Sequence, residues 1–271
     1  MLVGRRRRRL HRLRGLSVNA LVPNAVTVLG MCAGLTAIRF AFAQRWELAV
    51  GLIILAGIID GLDGRIARVL KASSEFGAQL DSLSDFLCFG VAPAVVLYLW
   101  TLHVGGGAGW AVALLFAVCM ALRLARFNAG RSDPDRPVWR SRFFTGLPAP
   151  VGGGVIVLPM MLSFEFGDAF FRDPIVVALH VIGVSALTVS TIPMYSGKGF
   201  RVRQAYVLPV LLFVGLLFAA IVGYPWYTFS LLGIGYLASI PFSIRGHRAL
   251  RARVEAEADE PVSGDDTELR V

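Results

Sequence analysis

Four aspartates stand at regular spacing in one short stretch of the chain, DGLDGRIARVLKASSEFGAQLDSLSD, which runs from Asp60 to Asp85. Asp60 and Asp63 are three residues apart, and Asp81 and Asp85 are four apart. In a helix, either spacing places both carboxylates of a pair on the same face. Long apolar runs precede and follow the stretch. Because ionisable groups at membrane depth are costly, their presence there indicates a functional site.

Carboxylate oxygens are the ligands that Mg²⁺ and Mn²⁺ prefer, and these ions commonly bridge protein carboxylates and substrate phosphates. Four acidic groups of the same sign also need cations between them if all are to stay ionised. Arg65, Arg68 and Lys71 lie between the two aspartate pairs, where they can meet a phosphate. The spacing therefore predicts a divalent-cation site, and two ions there would clamp both oxygens of a displacement at phosphorus.

The elements that hold these aspartates are expected to be membrane helices. Of the 271 residues, 56% are hydrophobic and only 17% are charged, whereas a soluble domain has about 45–50% apolar residues. This composition predicts an all-α, polytopic membrane helix bundle. Apolar segments of the length that a bilayer requires predict about eight transmembrane helices. The expected spans are residues 21–43, 46–68, 86–102, 108–128, 149–166, 174–195, 205–222 and 225–244.

The distribution of positive charge predicts the orientation of these spans. Of the 27 Lys and Arg residues, only Arg39, Arg45 and Arg172 fall at or near the weakly basic side. Basic loops stay in the cytoplasm, so both termini and the aspartate stretch are expected there, in a cell membrane protein whose active site faces the cytoplasm. The chain then divides into a basic segment (1–20), a transmembrane domain (21–244) and a polar tail (245–271) that is expected to be disordered.

The basic N-terminal segment carries seven arginines between Arg5 and Arg14. It either binds anionic lipid headgroups or only fixes the orientation of the chain. A cleaved signal peptide is not favoured, because the apolar run at 21–43 is longer than the 7–15 residues usual for such a peptide. Cys32, Cys88 and Cys119 lie in apolar runs without metal-ligand spacing, so buried structural thiols are expected.

The aspartate stretch matches the pattern D-x2-D-G-x2-A-R-x8-G-x3-D-x3-D at every fixed position. The matching residues are Asp60, Asp63, Gly64, Ala67, Arg68, Gly77, Asp81 and Asp85. On these residues the chain resembles the CDP-alcohol phosphotransferases, and the segment from Pro23 to Thr27 resembles the first helix of that family. The resemblance implies a membrane-embedded homodimer that uses Mg²⁺ or Mn²⁺, two divalent ions per site, and a CDP-linked lipid.

The resemblance also implies roles for individual residues. It assigns the metal ligands to Asp60, Asp63, Asp81 and Asp85. Asp85 is in addition the expected general base, which would activate the hydroxyl of the acceptor. Contacts with CDP-diacylglycerol are implied for Asn24, Thr27, Gly64, Arg68, Ser74 and Gly77.

Three further segments resemble the phosphatidylserine synthase branch of the family: RLARFN at 123–128, FTGLPAP at 144–150 and STIPMYSGK at 190–198. The resemblance implies L-serine as the acceptor, with CMP and phosphatidylserine as products. An arginine fork suits the carboxylate of serine, and Arg123 and Arg126 are spaced to share a helix face. Lys198 is a third candidate for this site. The alternative is that these arginines only reach towards lipid headgroups.

Other readings of the same residues remain open at this point. Another acceptor, such as inositol phosphate, glycerol 3-phosphate or choline, would leave the aspartate motif unchanged. A cation transporter would explain the four aspartates but not Gly64, Arg68 and Gly77 between them. A non-catalytic polybasic scaffold would require the aspartates to be dispensable. Nucleic acid is not an expected partner, because the basic residues follow the membrane boundaries.

Overall fold

The part of the chain that the structure describes is a bundle of α-helices with one short pair of strands. The computed structural model describes residues 18–70, 74–131, 143–195 and 204–259. The helices are α1 (Val18–Phe42), α2 (Trp46–Val69), α3 (Glu75–Phe86), α4 (Ala92–Trp100), α5 (Gly106–Arg131), α6 (Ala149–Ile156), α7 (Leu158–Phe166), α8 (Asp168–Phe171), α9 (Pro174–Val189), α10 (Val207–Gly223) and α11 (Pro225–Asp259). The strands β1 (Phe143–Thr145) and β2 (Pro193–Tyr195) pair antiparallel. The predicted all-α class is confirmed.

Among the described residues, five helical segments are long and apolar enough to cross a membrane. They are Leu21–Phe42, Glu75–Trp100, Leu102–Gly130, Ala149–Phe166 and Pro225–Gly246. Two further apolar helices, α9 and α10, are shorter, and α2 is 24 residues long but carries the first aspartate pair. The chain is therefore a multi-pass membrane protein, as composition predicts, while the count of eight spans stays a prediction.

The helix bounds differ from the predicted spans in three places. The third helical segment begins at Glu75 rather than at 86, because Ser74 has an extended backbone and its side chain accepts a hydrogen bond from the Gly77 N–H at 3.0 Å. The sixth span was predicted to reach residue 195, which is wrong, since α9 ends at Val189 and β2 follows. The last helix continues past 244 to Asp259.

The helices α1 and α2 form a tightly packed antiparallel pair that brings the start of α1 beside the end of α2. The turn between them is only three residues long and includes Gln44 at a positive φ of 56°. Ala37 and Ala41 of α1 and Ala49 of α2 are fully buried, and such small side chains let membrane helices approach closely. The segment that begins at Pro23 therefore lies at the same end of the bundle as the first aspartate pair.

A π-helical turn, Leu87–Val91, connects α3 to α4 and begins two residues after Asp85. Such turns are rare and frequently occur at functional sites, because the additional residue changes which face the following side chains occupy. Here the turn buries Phe89, and α6 packs against that ring so closely that a Cβ on Gly153 would lie 2.8 Å from it. The turn thus joins α3, which carries Asp81 and Asp85, to α4, whose residues are largely buried.

The opposite end of the bundle is held by Arg172, in the connection between α8 and α9. Its guanidinium donates to Asp168 Oδ2 at 2.9 Å and to the Trp100 carbonyl at 3.3 Å, while Thr101 Oγ1 donates to the Arg172 carbonyl at 2.7 Å. Hydrogen bonds from Ser163 and Arg172 lower the pKa of Asp168. This arginine, one of the three at or near the weakly basic side, therefore has structural partners there.

The cysteines meet the expectation only in part. Cys88 is buried, and its thiol donates to the Gly30 carbonyl at 3.3 Å. Cys119 is half-buried and Cys32 is exposed, so the prediction that all three are buried was wrong. An apolar run alone does not tell which face of a membrane helix meets protein and which meets lipid.

Candidate active site

The four aspartates come together where the C-terminal part of α2 lies beside α3. Carboxylate oxygens of Asp60, Asp63 and Asp81 all lie within 4.8 Å of one another. The side chain of Asp85 lies within hydrogen-bonding range of Asp60, and its Oδ1 atom is buried without a hydrogen-bond partner among the described residues. The two helical pairs predicted from sequence therefore face each other and form one acidic cluster.

This cluster fits a hard divalent cation. Two oxygens bound to one such ion at about 2.0–2.6 Å lie at most about 4–5 Å apart, which is close to the separation observed among the three carboxylates. Asp63 is held in place from outside the cluster, because Thr27 Oγ1 donates to its Oδ2 at 2.7 Å. Partners of this kind commonly orient metal ligands. The unpartnered oxygen of Asp85 offers a further ligand atom.

Thr27, for which sequence predicts a substrate contact, is a buried residue of α1 that meets the cluster at Asp63. It is 6% exposed, and its hydroxyl is within reach of both Asp63 and the Pro23 carbonyl. The Thr27 carbonyl in turn accepts from Ser84 Oγ at 3.4 Å, which ties α1 to α3. Within the described structure, Thr27 thus orients an aspartate, and its contact with CDP-diacylglycerol stays a prediction.

Asn24, Ser74 and Gly77, three of the predicted nucleotide contacts, meet at one point. A Cβ added to Gly77 would lie 2.8 Å from Asn24 Oδ1 and 3.0 Å from Ser74 Oγ. The position therefore accepts only glycine without a shift of its neighbours. Asn24 comes from α1 and the other two from the start of α3, so the packing of α1 against α3 brings these residues together.

Gly64 and Arg68, the remaining predicted nucleotide contacts, lie on the exposed side of α2. At Gly64, no described atom lies within 4 Å of the position that a Cβ would occupy. Sequence allows two reasons for a glycine here, the approach of a neighbouring helix or of a ligand. The described helices do not approach this position, and the contact of Gly64 with the nucleotide stays a prediction.

Arg123 and Arg126 share a helix but have different surroundings. Arg123 is 6% exposed and interacts electrostatically with Asp60 and Asp85. Arg126 is exposed, and its guanidinium donates to the Val189 carbonyl at 2.8 Å and to the Ser190 carbonyl at 3.0 Å. Arg123 therefore faces the acidic cluster, whereas the hydrogen bonds of Arg126 hold the C-terminal end of α9. Lys198 lies outside the described residues.

The three segments that resemble the phosphatidylserine synthase branch meet at the C-terminal end of α9. Arg126 from the first segment binds the carbonyl of Ser190, which opens the third. The second and third pair as β1 and β2, with Phe144 opposite Met194. In the second segment, directly after β1, Gly146 has a φ of +79°, and a Cβ there would lie 2.7 Å from the Thr188 carbonyl. Glycine is required at this position for both reasons.

Two residues near the cluster were missed by sequence reasoning. Asn128 Nδ2 donates to Ser82 Oγ at 2.9 Å, which links α5 to α3 beside the aspartates. Tyr236 of α11 has a buried hydroxyl without a hydrogen-bond partner among the described residues, and it interacts electrostatically with Arg123. Asn128 belongs to the RLARFN segment, which was a usable signal, whereas Tyr236 stands alone in an apolar run.

The fold and the site define a polytopic membrane protein with a cluster of aspartates between α2 and α3 that could hold a metal ion. The chain belongs to the CDP-alcohol phosphatidyltransferase family, whose model matches residues 20–191, and a second model, CDP-alcohol phosphatidyltransferase 2, matches residues 205–241. The resemblance drawn from the aspartate motif is thereby confirmed.

Curated relatives named CDP-diacylglycerol–serine O-phosphatidyltransferase cover most of the chain. The relative from Mycobacterium tuberculosis is 41% identical over 248 residues, which are 92% of this chain and 86% of the relative. The Mycobacterium leprae relative is 40% identical over 89% of this chain and 80% of its own length. A Helicobacter pylori relative is 31% identical over 73% of this chain and 81% of its own length.

Proposed function

We propose that this protein transfers the phosphatidyl group of CDP-diacylglycerol to the hydroxyl of L-serine, which gives phosphatidylserine and CMP. The observation that carries the proposal is the acidic cluster of Asp60, Asp63, Asp81 and Asp85, with the buried Arg123 beside it. The names of the relatives support serine as the acceptor. Family membership supports the reaction class.

The reaction is a displacement at the phosphorus atom that carries diacylglycerol. The serine hydroxyl oxygen forms a bond to this phosphorus, and the bond from the phosphorus to the bridging oxygen of CMP breaks. The proton of the serine hydroxyl passes to Asp85, whose buried Oδ1 is available to receive it. CMP leaves with the electron pair of the broken bond. A positioned base of this kind contributes about 10²–10⁴-fold to the rate.

The four aspartates would hold Mg²⁺ or Mn²⁺, with two ions per site. Bound ions would neutralise the diphosphate and stabilise the charge that develops on the leaving CMP. Thr27 supports this arrangement, because its hydrogen bond keeps Asp63 turned into the cluster. Asp85 would serve both as a ligand and as the base.

The cytidine diphosphate part of the lipid would lie across the ends of three helices. Asn24, Ser74 and Gly77 form a compact polar surface there, and Gly64 leaves the backbone of α2 open to a ligand. Arg68, one turn further along α2 and exposed, would attract the diphosphate. The orientation of such charged groups, rather than new covalent chemistry, supplies most of the catalysis.

For serine, the buried position of Arg123 favours it over Arg126, whose hydrogen bonds to the end of α9 are structural. Lys198 stays a candidate. Both termini and the site are proposed to face the cytoplasm, on the basis of the positive-inside pattern, with eight spans in all. A homodimer, implied by the family resemblance, would be tested by cross-linking in membranes.

The test is an acceptor panel with the purified protein, CDP-diacylglycerol and Mg²⁺ or Mn²⁺, scored by release of CMP. Serine should stimulate release well above glycerol 3-phosphate, inositol phosphate and choline. If one of these other alcohols stimulated release instead, that alcohol would be the acceptor, and the reaction class would be unchanged. Ion flux in liposomes without nucleotide, and no CMP with any acceptor, would favour the transporter.

A further inference from the structure

Four buried side-chain polar atoms lack a hydrogen-bond partner within the described part of the chain: Asp85 Oδ1, Arg123 Nε, Ser230 Oγ and Tyr236 OH. Native proteins leave few such atoms, and each calls for a specific explanation. Arg123 carries one of these atoms and lies within electrostatic range of Asp85 and Tyr236, which carry two of the others. The orphaned atoms are therefore concentrated around one arginine.

These three residues come from three different helices, α3, α5 and α11. Only the folded bundle brings them together. Arg123 is 6% exposed, and a buried guanidinium with an unmatched N–H is costly. The arrangement offers hydrogen-bond donors from Arg123 and Tyr236 and an acceptor from Asp85. It is thus complementary to a molecule with an anionic group at one end and a hydroxyl donor at the other.

We infer that Arg123 and Tyr236 together form the seat for the anionic group of the acceptor alcohol, with its hydroxyl directed at Asp85. This inference rests on the proposed function and deepens it. For L-serine the anionic group is the carboxylate, which takes hydrogen bonds from the guanidinium and from the phenol hydroxyl. The new element is Tyr236, which lies outside residues 20–191 and within the second matched segment, residues 205–241.

The role of α11 follows from this assignment. It is the last described helix in the chain, and its polar residues are far in sequence from the aspartate motif. Through Tyr236 it would contribute to the recognition of the acceptor, while α2 and α3 carry the chemistry. Arg126 is not part of the seat, because its guanidinium is engaged at the Val189 and Ser190 carbonyls.

The experiment compares Tyr236→Phe with Tyr227→Phe, a matched control on the same helix. Tyr227 is 43% exposed and contacts Phe166 through its ring, which the control retains. Loss of a hydrogen bond to a charged group corresponds to about a 10- to 100-fold rise in the KM for serine. The KM for CDP-diacylglycerol should stay unchanged in both variants, and the control should keep the wild-type KM for serine.

A second readout separates recognition of the anion from a structural role. The wild type should prefer serine over serine amide, in which a neutral amide replaces the carboxylate, and Tyr236→Phe should lose most of this preference. Because the removed hydroxyl has no partner in the described structure, the unfolding temperature should not fall. Arg123→Lys should also raise the KM for serine, since lysine lacks the planar fork.

An unchanged KM for serine in Tyr236→Phe, or an equal rise in the KM for CDP-diacylglycerol, would overturn the inference. A lower unfolding temperature with an unchanged preference for the carboxylate would do the same. If the wild type used glycerol 3-phosphate rather than serine, the proposed function would fail. A selective rise in the KM for that acceptor would still support the seat. If no anionic acceptor stimulates the release of CMP, both the proposed function and the inference about Arg123 and Tyr236 are wrong.

Discussion

The substitution Gly64→Ala separates the effect of a ligand from the effect of folding. Gly64 lies within α2, and no described atom is within 4 Å of the position of the added Cβ. Alanine in a helix interior is favoured over glycine by about 0.5–1 kcal/mol. The variant should therefore be at least as stable as the wild type, with an equal or higher unfolding temperature in detergent.

Activity should change in the opposite direction. If the nucleotide lies against the backbone of α2 at Gly64, the methyl group occupies space that the substrate needs. Overpacking of a fitted contact costs about 1–3 kcal/mol, which corresponds to about a 5- to 150-fold rise in the KM for CDP-diacylglycerol. The KM for serine should change little, because the proposed serine site lies on the side of Arg123.

The assay is CMP release at varied CDP-diacylglycerol in mixed micelles, combined with thermal unfolding of the same samples. Gly215→Ala is the matched control. This glycine lies within α10 and likewise has no described atom within 4 Å of the added Cβ. It should show the gain in stability without the rise in KM. An unchanged KM in Gly64→Ala would refute the reasoning that a ligand approaches this glycine.

Three further substitutions test other parts of the site. Asp85→Asn should lower kcat by about 10²–10⁴-fold, measured by CMP release, and near wild-type turnover would exclude Asp85 as the base. Gly77→Ala should raise the KM for CDP-diacylglycerol and also lower the unfolding temperature, because the Cβ would lie 2.8 Å from Asn24 Oδ1. If only one of the two quantities changed, the link between packing and nucleotide binding would be wrong. Arg126→Gln should reduce the free energy of unfolding by about 1 kcal/mol, through its lost hydrogen bonds to α9, with an unchanged KM for serine. A selective rise in that KM would return Arg126 to the serine site.

The acidic cluster was predictable because it depends mostly on local geometry. Helical spacing places Asp60 beside Asp63 and Asp81 beside Asp85. The connection between the two pairs is short, so the two helices had to lie close together. The chemistry of carboxylates then indicated a divalent cation, and the observed separations among Asp60, Asp63 and Asp81 fit one.

The partners of the arginines were not predictable in the same way. Spacing indicates that Arg123 and Arg126 share a face of α5, but not what that face meets. Arg126 contacts backbone carbonyls at the end of α9, more than 60 positions away in sequence. Backbone groups leave no signature in side-chain types. Tyr236 was missed for a related reason, because the rotation of α11 about its axis follows from packing and not from hydropathy.

Hydropathy also located the membrane helices better than it located their ends. The apolar run that begins at residue 174 includes both α9 and β2, and short apolar segments do not distinguish a helix from a strand. The start of α3 depends on one hydrogen bond at Ser74 rather than on apolarity. The ends of helices are therefore predicted better when polar capping residues are considered together with the apolar pattern.

The central claim is that CDP-diacylglycerol and serine are joined at the acidic cluster. The most direct measurement is the recovery of isotope-labelled serine in extracted lipid, alongside CMP, from vesicles that contain the purified protein, CDP-diacylglycerol and Mg²⁺ or Mn²⁺. The account predicts one labelled lipid per CMP for the wild type and almost none for Asp85→Asn. Release of CMP without labelled lipid, or equal labelling by Asp85→Asn, would contradict it.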